Sequence, residues 1–269
     1  MIIWIASYPK SGNTWVRALL STYLNPQKKT PFEGLEEIAR FPNIQQFKDI
    51  IDLDLLKKDK LGICRYWIDA QQLINLKQDT TILKTHNFGG SIGKYQFTDK
   101  ENTSGVIYII RDPRSVAVSY AHHNNISFDS AIDRMLNVNM ISHNSEYINE
   151  VRTSWKIHYL SWKKSQYPKI IIKYEDLYTD SFFNFKKILK FVSNIKDVHI
   201  DDQKIKTTIK KCSFDNLSNL EKTIGFSEKN EGVFFRSGKI DEWKSKLSID
   251  QIKKIENGFS EEMKDLNYL

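Results

Sequence analysis

Lys10, Ser11, Gly12, Asn13 and Thr14 put a cation, two hydroxyls, an amide and a glycine into consecutive positions. They lie between an apolar run, Ile2 to Ala6, and a segment with helical periodicity, Thr14 to Leu24. Strand, glycine-containing loop and helix in that order offer backbone N–H groups to an anion. An ordinary strand-to-helix turn does not need so many polar groups. The triphosphate-binding version reads G-x-x-x-x-G-K-[ST]. With Gly12 on its second glycine, Ser7 takes the first glycine position, Asn13 the lysine position and Thr14 the hydroxyl position, while the lysine has moved inside the loop to Lys10. The match to an ATP loop is therefore poor. Arg111, ahead of Asp112-Pro113 and of Ser119, supplies a planar fork suited to two oxygens of one phosphate. The plain alternative is a surface arginine before a capped helix. His86 titrates near neutral pH, but a lone histidine is more often structural, and by itself it leaves the question open.

The elements that must position these groups follow from the apolar pattern. Ile2 to Ala6 reads as a buried parallel strand, short, β-branched and aromatic. Thr14 to Leu24 reads as a helix with Trp15, Val16, Leu19, Leu20 and Tyr23 on its apolar positions, stopped by Asn25-Pro26. Thr81 to Lys84, Gly105 to Ile110 and Ile170 to Tyr174 read as further strands. Asp112 suits an N-cap and Pro113 the first turn of a helix reaching about His122. Residues 126 to 166 read as mostly helical, and Phe182 to Val192 as another helix. Strands alternating with helices predict an α/β fold, a parallel sheet covered on both faces. With no repeat and no Gly/Ser/Pro linker, residues 1–269 are expected to form one domain. Ligands of such sheets sit beyond the carboxyl ends of the strands. Lys10, His86, Arg111 and the Tyr174-Glu175 pair are therefore expected at one edge.

Composition bounds the function. The 269 residues carry a formal net charge of +7, yet the lysines are scattered, with pairs at Lys28-Lys29, Lys57-Lys58 and Lys210-Lys211, and no block reads as a nucleic-acid arm. Cys64 and Cys212 are too few and too far apart for a disulfide framework or a metal site. The N-terminal apolar run lacks a basic flank and is interrupted by Lys10, so no secretory signal is read. No apolar run reaches the roughly 18 residues that span a bilayer. The expectation is a cytoplasmic protein, monomeric or homodimeric, with no membrane span, no nucleic-acid partner and no metal. The richness in Lys, Asn and Ile points to an AT-rich microbial genome and a bacterial metabolite.

Tyr8-Pro9-Lys10-Ser11-Gly12-Asn13-Thr14-Trp15 resembles the YPKSGTTW loop of sulfotransferases that use 3′-phosphoadenosine 5′-phosphosulfate (PAPS). Only Asn13 departs. The resemblance implies an α/β fold of the P-loop nucleotide-kinase-like kind. It implies that Lys10 through Trp15 grip the 5′-phosphosulfate, with Trp15 also in the adenine pocket. Arg111 to Ser119 resembles the 3′-phosphate motif RxPxxxxxS, so Arg111 and Ser119 would share that phosphate. KIIIKYEDL, Lys169 to Leu177, resembles the strand that brings Tyr174 to the adenine edge. Cys212-Ser213-Phe214 resembles a Thr-Ser-Phe segment in which Phe214 stacks on adenine opposite Trp15. Phe235 to Lys244 resembles RKGxxGxWK, which implies phosphate contacts from Arg236, Ser237 and Gly238, and the closing Glu262 to Tyr268 resembles the family's last helix. These matches run in order along nearly the whole chain.

The resemblance also assigns the chemistry. Sulfuryl transfer resembles phosphoryl transfer, an in-line displacement driven by positioning and charge neutralisation. Negative charge builds on the oxygen bridging to the 5′-phosphate, so a cation must stand there, and the acceptor hydroxyl (or amine) needs a base. The reading gives Lys10 the first task and His86, in a KTH-like segment, the second. Lys84 would steady the sulfuryl oxygens and Ser119 would restrain Lys10 until acceptor arrives. His122 and His123 read as surface residues, with a place on the acceptor wall as the alternative, and His158, between Trp155 and Trp162, reads as helix packing. Ser237 in place of Lys removes a cation from near the 3′-phosphate, and Asp241 in place of Gly adds a side chain, so weakened donor affinity is expected. The alternatives are a P-loop-type kinase, which the displaced Lys10 disfavours, and a non-catalytic 3′-phosphoadenosine 5′-phosphate (PAP) or polyanion binder, which Lys10 and His86 disfavour. Residues 30–80 and 124–150 are expected to wall and cover the acceptor. Their Phe32, Phe41, Phe47, Tyr66, Trp67, Phe128 and Met135 predict an apolar or flat molecule.

Overall fold

The computed structural model describes residues 1–52, 61–77, 80–142, 149–228 and 232–269. Lys57-Lys58 and parts of the 30–80 and 124–150 stretches lie outside the described residues. Four strands, β1 (Ile2–Ser7), β2 (Thr81–Thr85), β3 (Thr103–Ile110) and β4 (Lys169–Lys173), form one sheet in the order β2-β1-β3-β4. Every neighbouring pair is parallel. The helices, in chain order, are α1 (Asn13–Leu24), α2 (Pro31–Leu35), α3 (Trp67–Lys77), α4 (Pro113–Asn124), α5 (Phe128–Leu136), α6 (Trp155–Lys163) and α7 (Tyr174–Thr179). They continue with α8 (Ser181–Ser193), α9 (Asp202–Lys211), α10 (Phe214–Ile224), α11 (Trp243–Lys246), α12 (Ile249–Gly258) and α13 (Ser260–Asp265).

Side chains on a strand alternate between faces, and both faces here are covered. Ile2, Trp4 and Ala6 belong to one core layer with Leu83, Val106 and Tyr108 and with Trp155, Tyr159 and Trp162 of α6. Ile3 and Ile5 belong to the other, with Ile107, Ile109, Leu19 and Leu20 of α1, and Phe185 and Ile188 of α8. All six residues of β1 are buried, which explains why the run reads as continuously apolar rather than alternating. The Trp4 indole donates to Thr103 Oγ1 at 3.0 Å, so even the central tryptophan has a partner.

The predicted parallel sheet flanked by helices is what forms. Asp112 Oδ1 accepts from Arg114 N at the start of α4, with Pro113 in its first turn, as its sequence requires. Two local expectations need correcting. Tyr174 does not continue its strand: β4 ends at Lys173, and Tyr174 begins α7, whose first turn carries Glu175 and Asp176. Carboxylates favour a helix start, and Glu175 also accepts the Asp112 N–H at 3.0 Å and the Tyr268 hydroxyl at 2.8 Å. The stretch 126–166 is also not mainly one helical run. Asn137 ends α5, its side chain accepts the Asn139 N–H, and Ile141–Ser142 pairs antiparallel with Glu150–Val151. Asparagine turns of this kind compete with helix. The consequence is functional: Val151 N–H donates to Asn87 Oδ1 at 2.7 Å and its carbonyl accepts from Phe88 N, which docks Glu150 and Arg152 against the segment after β2.

Candidate active site

A cavity of about 740 Å³ opens at the carboxyl ends of the sheet. Lys10 follows β1, Lys84 and His86 end β2, Arg111 follows β3 and Tyr174 follows β4, and all of them line it. The four strand ends that the sequence singled out therefore converge on one space.

The loop after β1 is built for an anion. Gly12 precedes α1 at φ 102° and no side chain caps that helix, so its first N–H groups stay uncommitted. A Cβ at Gly12 would stand 2.6 Å from the Tyr174 ring, so a bare backbone is needed there. Lys10 adopts φ 67°, a left-handed conformation that costs a non-glycine residue on the order of 1–3 kcal/mol. Its ammonium rests 3.9 Å above the centre of the Phe234 ring. Burial, then the charges of Arg111 and Lys84, push its pKa down to about 7. Among the described residues no hydrogen bond joins Lys10 to Ser119, which also lines the cavity. Thr14 lines it as well. Asn13 reaches it too, but its amide turns inward to Ile5 O at 3.1 Å and Ser7 Oγ at 3.2 Å. Ser11 departs from the expectation: it is fully buried beneath the loop, off the cavity wall, and its hydroxyl has no partner among the described residues.

The wall beyond the loop combines rings with a guanidinium. Trp15 meets Tyr174 edge-on at 5.7 Å, and its indole donates to Cys212 O at 2.9 Å. That bond holds Trp15 to the segment carrying Ser213, the N-cap of α10, and Phe214. Arg111 lies 4.2 Å over the Tyr174 ring and donates to Lys10 O at 3.2 Å and Lys239 O at 3.0 Å. Its Nε is buried without a partner. Gly238 packs so tightly that a Cβ would meet Phe214 at 2.5 Å, and Tyr174 OH donates to its carbonyl. Arg236 and Ser237 complete this wall, with both Arg236 Nη groups on the Glu242 carboxylate. Uncommitted helix N–H groups, the cations Lys10 and Arg111, the orphaned Arg111 Nε and three facing rings together fit a planar base with phosphate groups on either side.

His86 has a defined tautomer. Its Nδ1 is 2.8 Å from Ser7 O, a carbonyl that can only accept, so Nδ1 carries the proton and Nε2 the lone pair. Lys84 Nζ is 3.5 Å from that Nε2. Burial first, then Lys84, keep the imidazole pKa well below that of an ordinary histidine. Burial together with Arg17 and Arg40 lowers Lys84 to about 8. Behind His86 stands His158, fully buried, its Nε2 donating to His86 O at 3.2 Å and its Nδ1 accepting from Tyr108 OH at 2.8 Å. Burial holds His158 near 3, so it is neutral and anchors the His86 backbone as well as packing its helix.

Several lining residues carry no motif. Arg40, Tyr120, Arg152 and Glu228 come from four separate places in the chain. His123, expected at the surface, is half-buried on the wall, edge-on to Phe234 at 5.8 Å, and burial holds it near 4. The expected aromatic walls are elsewhere. Phe41, Phe47, Trp67 and Met135 are buried in the core layer that holds Trp4, Tyr66 and Phe128 pack against it, and Phe32 stacks on Phe235 and meets Phe226 at a tilt. None of these seven lines the cavity. Their side chains are consumed by packing beneath the sheet and helices, so they do not wall the cavity. Among the described residues no group of His, Cys, Asp and Glu could hold a metal ion, and no helix is long and apolar enough to cross a membrane.

The sulfotransferase domain family matches residues 2–267. The chain is 22% identical to the amine sulfotransferase of Oryctolagus cuniculus, over 98% of this chain and 81% of the relative. It is 24% identical to the flavonol 3-sulfotransferase of Flaveria bidentis, over 97% and 81%. Among solved structures it resembles retinol dehydratase in complex with androsterone and PAP, with a TM-score of 0.65 and 18% identity over 98% of this chain and 81% of that one. It also resembles a mouse sulfotransferase complexed with PAP, TM-score 0.62 and 20% identity over 98% and 84%.

Proposed function

The chain belongs to the sulfotransferase domain family and is a PAPS-dependent sulfotransferase acting on a small-molecule acceptor; from that premise we propose that His86 is its general base and Lys10 the cation that meets the leaving oxygen. The observation that carries this reading is the commitment of His86 Nδ1–H to Ser7 O. It leaves Nε2 as an acceptor on the wall of the cavity that also holds Lys10 and the uncapped start of α1.

The acceptor hydroxyl gives its proton to His86 Nε2 while its oxygen bonds to sulfur. The bond between sulfur and the bridging oxygen breaks, and its electron pair stays on the 5′-phosphate of PAP. Lys10 and the N–H groups of α1 neutralise that charge. Lys84, beside Nε2, holds the moving sulfuryl oxygens. A bound anion offsets the positive charge around His86, so the imidazole gains proton affinity when donor is in place. Trp15, Tyr174 and Phe214 hold the adenine, and Ser213 fixes the start of the helix that carries Phe214. Arg111, Ser119, Arg236, Ser237 and the Gly238 backbone hold the 3′-phosphate. Ser11, Asn13 and Thr14 shape the loop around the 5′ end. In the same reading residues 1–269 are one sulfotransferase domain in the cytoplasm, with Cys64 and Cys212 as buried thiols.

His86→Ala tests the assignment. Turnover of labelled PAPS falls by about 10²–10⁴-fold, the usual contribution of a general base, while the PAP-induced rise in melting temperature persists and ATP–Mg²⁺ gives none. A variant that retains turnover removes His86 from its role.

A further inference from the structure

The part of the cavity around and beyond His86 is walled by charge. Glu150 is fully buried and its one carboxylate serves two guanidinium groups. Arg40 Nε donates to Oε1 at 2.9 Å and Arg40 Nη2 lies 2.7 Å from Oε2. Arg152 reaches Oε2 with Nε at 3.3 Å and Nη2 at 3.0 Å. The two arginines hold Glu150 well below the usual carboxylate range although burial alone would raise it. Glu228, the other carboxylate on this wall, is already matched by Arg17 Nη1 at 2.7 and 2.9 Å. The Arg40–Glu150–Arg152 triad therefore carries one surplus positive charge. Arg152 turns its remaining nitrogen to Tyr120 OH at 3.4 Å. Among the described residues Arg40 has no partner for Nη1, and its side chain is the most open of the triad at 33% exposure, against 14% for Arg152. A tie between Arg40 and the Glu150–Val151 strand needs one arginine. The second leaves a cation on the cavity wall, two-thirds shielded from water, that an anion can match.

The geometry points to an acceptor that carries an anionic oxygen group, a carboxylate or similar oxyanion, bound by Arg40 with Arg152 behind it, while its hydroxyl faces His86. This rests on the reading that His86 marks the acceptor side. The aromatic content of the chain predicts an apolar or flat molecule, and the charged wall adds an anionic group to it. A planar guanidinium can take a carboxylate through two parallel bonds.

The test uses the full chain with saturating PAP and two matched pairs of probes: 4-hydroxybenzoate with 4-hydroxybenzamide, and 3-(4-hydroxyphenyl)propanoate with its amide. By isothermal titration, each acid binds the enzyme–PAP complex at least about tenfold more tightly than its amide, the effect of one charge-assisted pair. Arg40→Gln brings the two within about twofold and leaves PAP affinity unchanged, and Arg40→Lys restores part of the preference. Equal binding of acid and amide, absence of binding by all four probes, or a preference that survives Arg40→Gln overturns the proposal. If PAP itself fails to bind, the donor assignment fails separately, and the same acid-to-amide ratio is then read on the free enzyme.

Discussion

The two ends of the cavity are built differently. The end proposed for the donor rests on the start of α1, on the carbonyl-tied Arg111 and on rings locked by backbone contacts, as Gly12 against Tyr174 and Gly238 against Phe214 illustrate. The end proposed for the acceptor rests on long side chains, Arg40, Arg152 and Lys84, with Glu150 buried between the two arginines. Backbone N–H groups and close glycine contacts bind one shape. Arginines on a shared carboxylate bind a charge and tolerate varied shapes around it.

The largest effect that separates the ends comes from Gly12→Ala. The added methyl meets the Tyr174 ring at 2.6 Å, and φ 102° is strained for any side chain. A strain of about 1–3 kcal/mol corresponds to PAP affinity weakened roughly 5- to 150-fold. The acid-over-amide preference at Arg40 stays as in the wild type. If both properties change together in titrations of this variant, the cavity is one coupled site and the division fails.

A smaller and graded effect is pH. Lys10 in the free protein is held near 7, and a phosphate beside it raises that value, so binding takes up a proton once the free lysine has lost it. The sign follows: PAP binds best below pH 7, and its affinity falls by up to about tenfold per unit between pH 7 and 9. Lys10→Arg, which stays charged, flattens that slope. At the acceptor end the arginines stay charged over the same range, so the acid remains preferred over the amide while Lys84, near 8, lowers the ratio as it deprotonates. A PAP affinity that is level from pH 7 to 9, measured by titration calorimetry, breaks this account of Lys10.

The same contrast explains what could be read from the residues alone. The sheet was legible because buried parallel strands give unbroken apolar runs, and Ile2–Ser7 and Thr103–Ile110 show them. The donor end was legible because its groups lie in short contiguous segments. Arg40, Tyr120 and Arg152 form no segment, and their meeting depends on Asn87 pulling Val151 in beside His86, a long-range bond that leaves no spacing to detect. The aromatic residues misled because ring content does not say which side of a helix faces a cavity. Ser11 misled in the opposite direction, since a residue inside a matching motif can still turn beneath its loop.

Ser237 gives the smallest test and the finest one. The resemblance places a lysine where this chain has Ser237, and its neighbour Arg236 gives both Nη groups to Glu242 rather than to the cavity. The wall proposed for the 3′-phosphate is thus short of one cation and has a second one engaged. Ser237→Lys adds a partly exposed charge, for which about 0.2–1 kcal/mol is typical, so PAP binds about 1.5- to 5-fold more tightly at low salt, with the gain shrinking as salt screens it. Glu242→Gln releases Arg236 and tightens PAP by a similar factor without adding charge at 237. The gain in both variants is confined to the donor and leaves the acid-over-amide ratio alone. Should neither tighten PAP in calorimetry at low salt, Arg111 and the Gly238 backbone already saturate the 3′-phosphate, and the departure at 237 carries no deficit for the donor end to make up.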